Sequence, residues 1–210
     1  MAHDAPAVDA GAAPSHRRGQ GPRRRDAERN VAAVLDAAQA LFRRDPEASM
    51  TEIARAAGLG RVTVYGHFES REHLVEALLA RATAEAEDIV AAAEPDRGPA
   101  TEALVRLIRT SWPVLDQHRG VHAAAQRSLA PELLRRHHGG VLDHVDRLVA
   151  RGQATGELRD DLPREWLVSV AYALLHNAAD EVDAGRLEPA AAGDVLVATL
   201  VSALTPAAPL

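Results

Sequence analysis

Three consecutive residues, Arg61, Val62 and Thr63, combine side-chain types and a position that are typical of base recognition in DNA. They open a short predicted helix directly after the turn Gly58-Leu59-Gly60. Two short helices joined by a glycine turn form a helix-turn-helix, whose second helix presents its N-terminal residues to the major groove. Arginine can contact guanine through two hydrogen bonds, and the methyl groups of valine and threonine can pack on a thymine methyl. The pattern predicts a DNA-reading helix over residues 61–67.

Residues around this helix are predicted to face the DNA backbone. Tyr65 and His67 lie on the same short helix and would face the flanking phosphates. Ser49 and Ser70 occupy predicted N-cap positions, where backbone amides are suited to phosphate binding. For the ring of Phe68 we favour core packing, whereas Tyr65 is expected to pack its ring and to turn its hydroxyl to a phosphate.

Other reactive side chains do not form a catalytic or metal-binding pattern. No Ser-His-Asp arrangement, paired carboxylates or phosphate loop stands out, so we expect neither an enzyme nor a cofactor. The absence of cysteine excludes disulfides and thiolate-ligated zinc. His118 and His122 are spaced as metal ligands can be, but no carboxylate or cysteine pattern accompanies them. His137 and His138 are adjacent and indicate a solvated surface, so we predict no metal site.

The elements that position these residues are all predicted to be helices, about nine in number. Alanine and leucine dominate the sequence, and the alternation that strands need is scarce. The first helix is expected over residues 26–44, and Ser49 to Glu52 form a capping box that starts the second. Gly58 ends that second helix because glycine adopts the left-handed conformation without strain. Ser70 caps a long fourth helix that reaches about Ala93.

Prolines and glycines divide the second half of the sequence. Pro99 suits the first turn of a fifth helix, and Pro113 is expected to kink or split it. A sixth helix is predicted over residues 119–129, and a seventh over residues 131–152, where Gly139-Gly140 weakens the middle. The eighth and ninth helices are expected over residues 163–184 and 189–204.

Charge is distributed unevenly although the net charge is −6. Residues 17–71 contain eleven arginines and seven acidic residues, whereas residues 81–210 contain thirteen and nineteen. This distribution predicts a basic headpiece on an acidic body. Residues 1–22 are interpreted as a disordered arm, which either solubilises the protein or touches DNA. No secretory signal or membrane-spanning run is present, so we expect a cytoplasmic protein with no membrane contact.

The motifs of the headpiece are similar to those of one family. The stretch from Val34 to Phe42, the segment Thr51-Glu52-Ile53-Ala54-Arg55-Ala56-Ala57-Gly58-Leu59, and the segment Thr63-Val64-Tyr65-Gly66-His67-Phe68 together resemble the TetR family of bacterial regulators. The resemblance continues to Leu74 and covers about 50 residues. It implies an all-helical homodimer whose headpiece binds a palindromic operator and whose C-terminal domain binds a small-molecule inducer.

The resemblance also implies roles for individual residues. It assigns base contacts to Arg61, Val62 and Thr63. It assigns phosphate contacts to a further set: Ser49, Tyr65, His67 and Arg71. Gly60 stands where the family usually has a serine or threonine cap, and Val62 replaces a common glycine, so an operator preference unlike that of its relatives is expected.

The predicted domain organisation follows from these points. Residues 23–80 form the helix-turn-helix domain, and residues 81–210 form a ligand-binding and dimerisation domain. The last two predicted helices are rich in small residues and would form a four-helix interface with a partner copy; ordinary packing within the chain is the alternative. The candidate ligand-binding residues are Trp112, His118, His122, Gln126, Trp166, Tyr172 and His176.

The predicted function is a ligand-responsive DNA-binding transcriptional regulator. It is expected to be a repressor that a small-molecule inducer releases from double-stranded DNA at a palindromic operator. A non-inducible architectural DNA-binding protein is the alternative. Few aromatic residues lie in the C-terminal part, which argues against a cavity built to stack flat cationic molecules.

Overall fold

The computed structural model describes residues 21–206 of the 210-residue chain. Nine helices and no strand occur in this range, which confirms the all-helical fold. The predicted arm lies outside the described residues, except that Gly21 and Pro22 open the first helix. The helices are α1 (Gly21–Phe42), α2 (Met50–Ala56), α3 (Arg61–His67), α4 (Arg71–Ala92), α5 (Ala100–Ser128), α6 (Pro131–His137), α7 (Gly139–Thr155), α8 (Arg164–Asp183) and α9 (Pro189–Leu204).

The helix-turn-helix forms where local sequence signals predict it. The Ser49 amide donates to Glu52 Oε2 at 2.8 Å, and the Glu52 amide donates to Ser49 Oγ at 3.3 Å, which completes the capping box of α2. Gly58 has a φ of +66°, a left-handed conformation that favours glycine over other residues. The turn then delivers Gly60 to the N-cap of α3.

Pro113 does not divide α5. This helix runs unbroken over 29 residues, so the predicted fifth and sixth helices are one helix and the expected split is wrong. Pro113 is exposed, and the carbonyl of Arg109 that loses its helical partner therefore faces water. Trp112 and Val114 on either side are buried, and their packing holds the two halves of the helix in line.

The predicted seventh helix is instead two helices. The break falls at His138, one residue before the glycine pair, where φ of −86° and ψ of 2° interrupt the helix. Gly140 then lies against the carboxylate of Glu87 on α4, in space that a side chain would fill. The break therefore allows α7 to approach α4, and it changes the direction in which His138 points.

Two apolar clusters stabilise the fold, and α5 contributes to both. The larger cluster joins α4, α5, α7, α8 and α9 around residues such as Leu104 and Leu148. The smaller cluster packs α1, α2, α3 and α4 around residues such as Phe42 and Ile53. Val121, Ala124 and Ala125 of α5 and Leu134 of α6 complete this smaller cluster. The headpiece thus rests directly on the second half of α5.

Candidate DNA-reading surface and ligand cavity

The N-terminal face of α3 is open to solvent. Arg61, Val62 and Thr63 are all exposed, and the Val62 side chain is 88% exposed. Val64 is fully buried and anchors the helix to the smaller apolar cluster. The three side chains can therefore reach a groove without rearrangement of the fold.

The second turn of α3 carries the two aromatic residues predicted to face phosphates. The Tyr65 ring is 42% exposed, and the Arg61 guanidinium lies 5.9 Å from its centre. A guanidinium at this distance is attracted to the ring face, which orients Arg61 along the helix surface. His67 is half-buried at the last position of α3. Phe68 is buried in the smaller cluster, in agreement with the core role expected for its ring.

Ser49 and Arg71 have partners within the chain. The Ser49 amide and hydroxyl both bond to Glu52, so a carboxylate occupies the place expected for a phosphate. The bond from the Ser49 backbone amide lowers the pKa of the Glu52 carboxyl, which keeps this group negative. Arg71 donates to the carbonyls of Ala48 and Pro46 and to Ser128 Oγ at the end of α5. Arg71 thus ties α4 to the α1–α2 loop and to α5.

A cavity of about 100 Å³ lies between α4, α5, α7 and α8. Its walls are mostly aliphatic, and among the described residues that line it there is neither aspartate nor glutamate. The polar exceptions are few: Thr83, Ser111, His118, His122, His138, Tyr172 and His176. A partly enclosed apolar space with a small number of polar groups has the composition of a small-molecule site.

His122, His138 and His176 meet at one side of this cavity. One ring nitrogen of each lies within 4.8 Å of those of the other two. The ring centres of His122 and His176 are 4.0 Å apart, and those of His138 and His176 are 5.1 Å apart. The Tyr172 ring adjoins this group, with its centre 4.2 Å from that of His176. We refer to the three residues as the histidine cluster.

Burial determines the protonation of the histidine cluster. It lowers the pKa of His122 to about 2, and repulsion from His176 and His138 adds to this effect. Burial also lowers the pKa of His176 to about 4, against the bond to the Tyr172 carbonyl, and it lowers the pKa of His138. The pKa of the Tyr172 hydroxyl is raised, again by burial. All three imidazole rings are therefore neutral at pH 7.

The cavity brings together some of the predicted ligand-binding residues and not others. His118, His122, Tyr172 and His176 line it. Trp112 is buried instead between α5 and α9, where its Nε1 donates to the Pro189 carbonyl at 3.3 Å. Gln126 and Trp166 are exposed to solvent away from the cavity. The structure therefore supports four of the seven positions as cavity residues.

His138 lines the cavity although its sequence context indicates a solvated surface. Its neighbour His137 points away, with its Nε2 3.4 Å from Glu76 Oε1. Two adjacent residues of a continuous helix point in directions about 100° apart, but the helix break at His138 sets its direction independently. The only sequence signal for this change is the glycine pair that follows.

His118 connects the cavity wall with the headpiece. Its Nε2 donates to Glu85 Oε2 at 2.9 Å, and its Nδ1 accepts from Gln39 Nε2 at 3.3 Å. Gln39 lies on α1 and also accepts from Arg81 of α4, which is paired at 2.7 Å with Asp36. One hydrogen-bonded network thus joins the cavity-lining helices α4 and α5 to the first helix of the headpiece.

The outer faces of α8 and α9 carry exposed apolar residues. The Trp166 side chain is 58% exposed, and the Val195 side chain is 46% exposed. Small or apolar residues occupy four exposed positions of α9 at helical spacing, beside the exposed Asp194 and Thr199: Ala191, Val195, Ala198 and Ser202. Together with Trp166 they form an uncovered apolar stripe, and this arrangement is typical of a helical interface.

The comparisons with known proteins agree with this architecture. The sequence profile of the bacterial regulatory proteins of the tetR family matches residues 34–78. The HTH-type transcriptional repressor LfrR of Mycolicibacterium smegmatis is 35% identical over 83 residues, which cover 40% of this chain and 44% of that repressor. The chain thus matches less than half the length of this curated relative.

Solved structures extend the similarity to nearly the whole fold. A TetR family transcription regulator from Marinobacter aquaeolei VT8 has a TM-score of 0.68 at 19% identity, covering 88% of this chain and 100% of that chain. The structure of LfrR in complex with proflavine has a TM-score of 0.61 at 24% identity, covering 86% of this chain and 99% of that chain. Both similarities show the fold.

The headpiece, at residues 34–78, is similar to that of the tetR family of bacterial regulatory proteins, and LfrR is similar to this chain over 83 residues. The described fold as a whole is similar to the folds of the two TetR-type structures above. Among the helices described here, none combines the length and the apolar character needed to cross a bilayer.

Proposed function

We propose that this protein is a transcriptional repressor that binds a palindromic operator as a homodimer and is released by a small molecule in the C-terminal cavity. The observation that carries the proposal is the exposed row Arg61, Val62 and Thr63 at the start of an anchored helix after a glycine turn. Repression is proposed because LfrR, which is 35% identical to this chain over 83 residues, is a repressor.

In this proposal, α3 enters the major groove. Arg61 contacts a guanine, and the methyl groups of Val62 and Thr63 pack on thymine methyls. Tyr65 and His67 contact the flanking phosphates. Ser49 and Arg71 are left out of the proposed contacts, because their polar atoms are bonded within the chain.

Genome-wide footprinting of the wild-type protein tests the function as a whole. A small number of palindromic sites that carry two half-sites about one helical turn apart is the expected result. Diffuse coverage without a shared sequence would contradict operator recognition and would favour an architectural protein. The sites recovered in this way supply the DNA for the measurements below.

Replacing Arg61 with alanine is expected to weaken operator binding and to relax the preference at one base pair of each half-site. The loss of a two-bond contact to guanine corresponds to roughly 1–3 kcal/mol per half-site. Fluorescence anisotropy with the wild-type site, and with sites altered at single base pairs, measures both effects.

Arg97→Ala is the matched control for this experiment. Arg97 lies in the loop between α4 and α5, where its side chain is exposed and paired only with Glu94 at 2.9 Å. Its replacement should leave the affinity and the base preference unchanged. If Arg61→Ala binds like the wild type at every altered site, α3 is not the reading helix.

The apolar stripe on α8 and α9 supports the homodimer. In a two-fold symmetric interface the same stripe faces its own copy, so one substitution acts twice. Val195→Glu would bury two carboxylates with no cation opposite, which costs roughly 3–5 kcal/mol or more. We therefore expect this variant to be a monomer at micromolar concentration, as measured by analytical ultracentrifugation.

Gln126→Glu controls for the added charge, because Gln126 is exposed on α5 outside the stripe. This variant should sediment like the wild type. A dimer of Val195→Glu with wild-type stability would place the interface on another face of the protein.

The lining of the cavity favours an uncharged, largely apolar molecule as inducer. An organic cation would find no carboxylate among the described lining residues, and unlike a metal ion it cannot form coordinate bonds to the neutral imidazole rings. LfrR has been solved with proflavine, a planar cation. The cavity of the present chain, with Tyr172 as its only phenol ring and no tryptophan, lacks the aromatic stack suited to such a ligand.

A further inference from the structure

We propose that the histidine cluster binds one divalent transition-metal ion of the zinc type. Three imidazole rings from α5, the α6–α7 break and α8 converge there, with one nitrogen of each within 4.8 Å of the others. His122 and His176 are both buried, and each residue is 6% exposed. The site lies inside the cavity and is made of residues that are far apart in the sequence.

Two unpartnered nitrogen atoms point to a missing ligand. His122 Nδ1 and His176 Nε2 are buried without a hydrogen-bond partner. Buried polar atoms in folded proteins are nearly always bonded, so two unbonded nitrogens that lie close together favour a bound ion as their partner. A metal ion accepts the lone pairs of both atoms at once.

In His138 and His176, the second ring nitrogen makes a hydrogen bond of the kind that metal-binding histidines usually make. His138 Nδ1 donates to the Leu134 carbonyl at 2.8 Å, and His176 Nδ1 donates to the Tyr172 carbonyl at 2.8 Å. These bonds place the proton on Nδ1 and leave the lone pair on Nε2. A backbone carbonyl that fixes the tautomer in this way is the usual support of a metal-ligating histidine.

The donor set determines the kind of ion. Three neutral imidazoles without carboxylate or thiolate suit Zn²⁺, Co²⁺, Ni²⁺ or Cu²⁺ rather than Mg²⁺ or Ca²⁺. Zinc–nitrogen bonds of about 2.0–2.1 Å require the three nitrogens to approach one another to about 3.3 Å. Side-chain rotations that move each nitrogen by about an ångström would shorten the distances between the nitrogens from at most 4.8 Å to this value. Three protein ligands would leave one position of a tetrahedral ion for water or another small ligand.

Metal binding would also act on the headpiece, and this step rests on the proposed function. His122 lies two residues after Gly120, where α5 touches the end of α1. His138 lies at the helix break and His176 on α8, so one ion draws three elements toward the same point. A shift of α5 toward the ion would alter its contact with α1 and hence the position of α3.

Titration of metal-free protein with Co²⁺ and with Zn²⁺ tests the site. We expect one Co²⁺ per chain with visible absorption bands of a tetrahedral nitrogen-ligated ion, and displacement of Co²⁺ by Zn²⁺. His138→Gln removes one ligand at a half-buried position and should weaken binding about 100-fold or more. His137→Gln is the matched control, because His137 is the adjacent residue and faces Glu76 instead.

The possible outcomes distinguish the metal site itself from its proposed effect on operator binding. If the wild type does not bind one metal ion per chain, or if His138→Gln binds the ion as tightly as the wild type does, the proposed metal site is wrong. The histidine cluster is then a stack of neutral rings. Binding that leaves operator affinity unchanged in the wild type would overturn the regulatory step alone. A protein that binds the metal but recognises no operator would contradict the proposed function and leave the metal site intact.

Discussion

Replacing Gly120 with alanine is expected to destabilise the protein by roughly 2–3 kcal/mol, although alanine ordinarily stabilises a helix by about 1 kcal/mol relative to glycine. A Cβ at Gly120 would lie 2.7 Å from the Arg43 amide nitrogen and closer still to the Phe42 carbonyl. These are backbone atoms and cannot rotate aside as a side chain would. Chemical denaturation measures the loss in the free energy of unfolding.

Gly66→Ala is the control for this substitution. Gly66 is an exposed helical glycine of α3, and no atom lies within 4 Å of the position of its added Cβ. This variant should be as stable as the wild type or slightly more stable. If Gly120→Ala is also neutral or stabilising, α5 does not approach α1 as closely as the structure indicates.

Acidification from pH 7 to pH 5 is expected to cost roughly 4 kcal/mol of stability through His122 and His176. Their pKa values in the folded protein are about 2 and about 4, both below the ordinary value of 6.5. Below pH 6.5 the unfolded chain binds protons that the folded protein does not, so stability falls as the pH falls. Each histidine contributes about 1.4 kcal/mol per pH unit within this window.

Thermal unfolding between pH 7 and pH 5 measures this effect before the carboxylates contribute. Glu52 and Glu157 have pKa values below their ordinary 4.5, so the stability that they provide is lost only at lower pH. The double variant His122→Leu/His176→Leu should have a flatter pH profile than the wild type. His144→Gln, which removes a histidine outside the cavity, should keep the wild-type slope; equal slopes in all three proteins would contradict buried neutral histidines.

Sequence signals that act over a few residues predicted the helix-turn-helix correctly. The capping box at Ser49 and the left-handed Gly58 specify α2 and its turn without help from the rest of the chain. The same local signals cannot show which polar atoms have distant partners. Arg71 matches a phosphate-contacting position by resemblance, yet its guanidinium bonds to Pro46 and Ser128, which are 25 and 57 residues away.

The cavity was harder to predict because it depends on packing between distant helices. Pro113 was expected to split a helix, but only the fold shows that its face is exposed and that water can satisfy the freed carbonyl. Trp112 was a ligand candidate because aromatic residues are few, and it fills the core instead. His138 was assigned to the surface because a helix break of one residue leaves no clear periodic signal.

The contribution of α5 and α6 to the smaller apolar cluster has a consequence for truncated forms of the chain. A fragment ending at residue 80 would lack Val121, Ala124, Ala125 and Leu134, and the apolar side chains that they cover would be open to water. The helix-turn-helix headpiece is therefore not an independent folding unit. Head and body should melt in a single cooperative transition, so that every substitution that loosens the cavity also reduces the fraction of chains able to hold DNA.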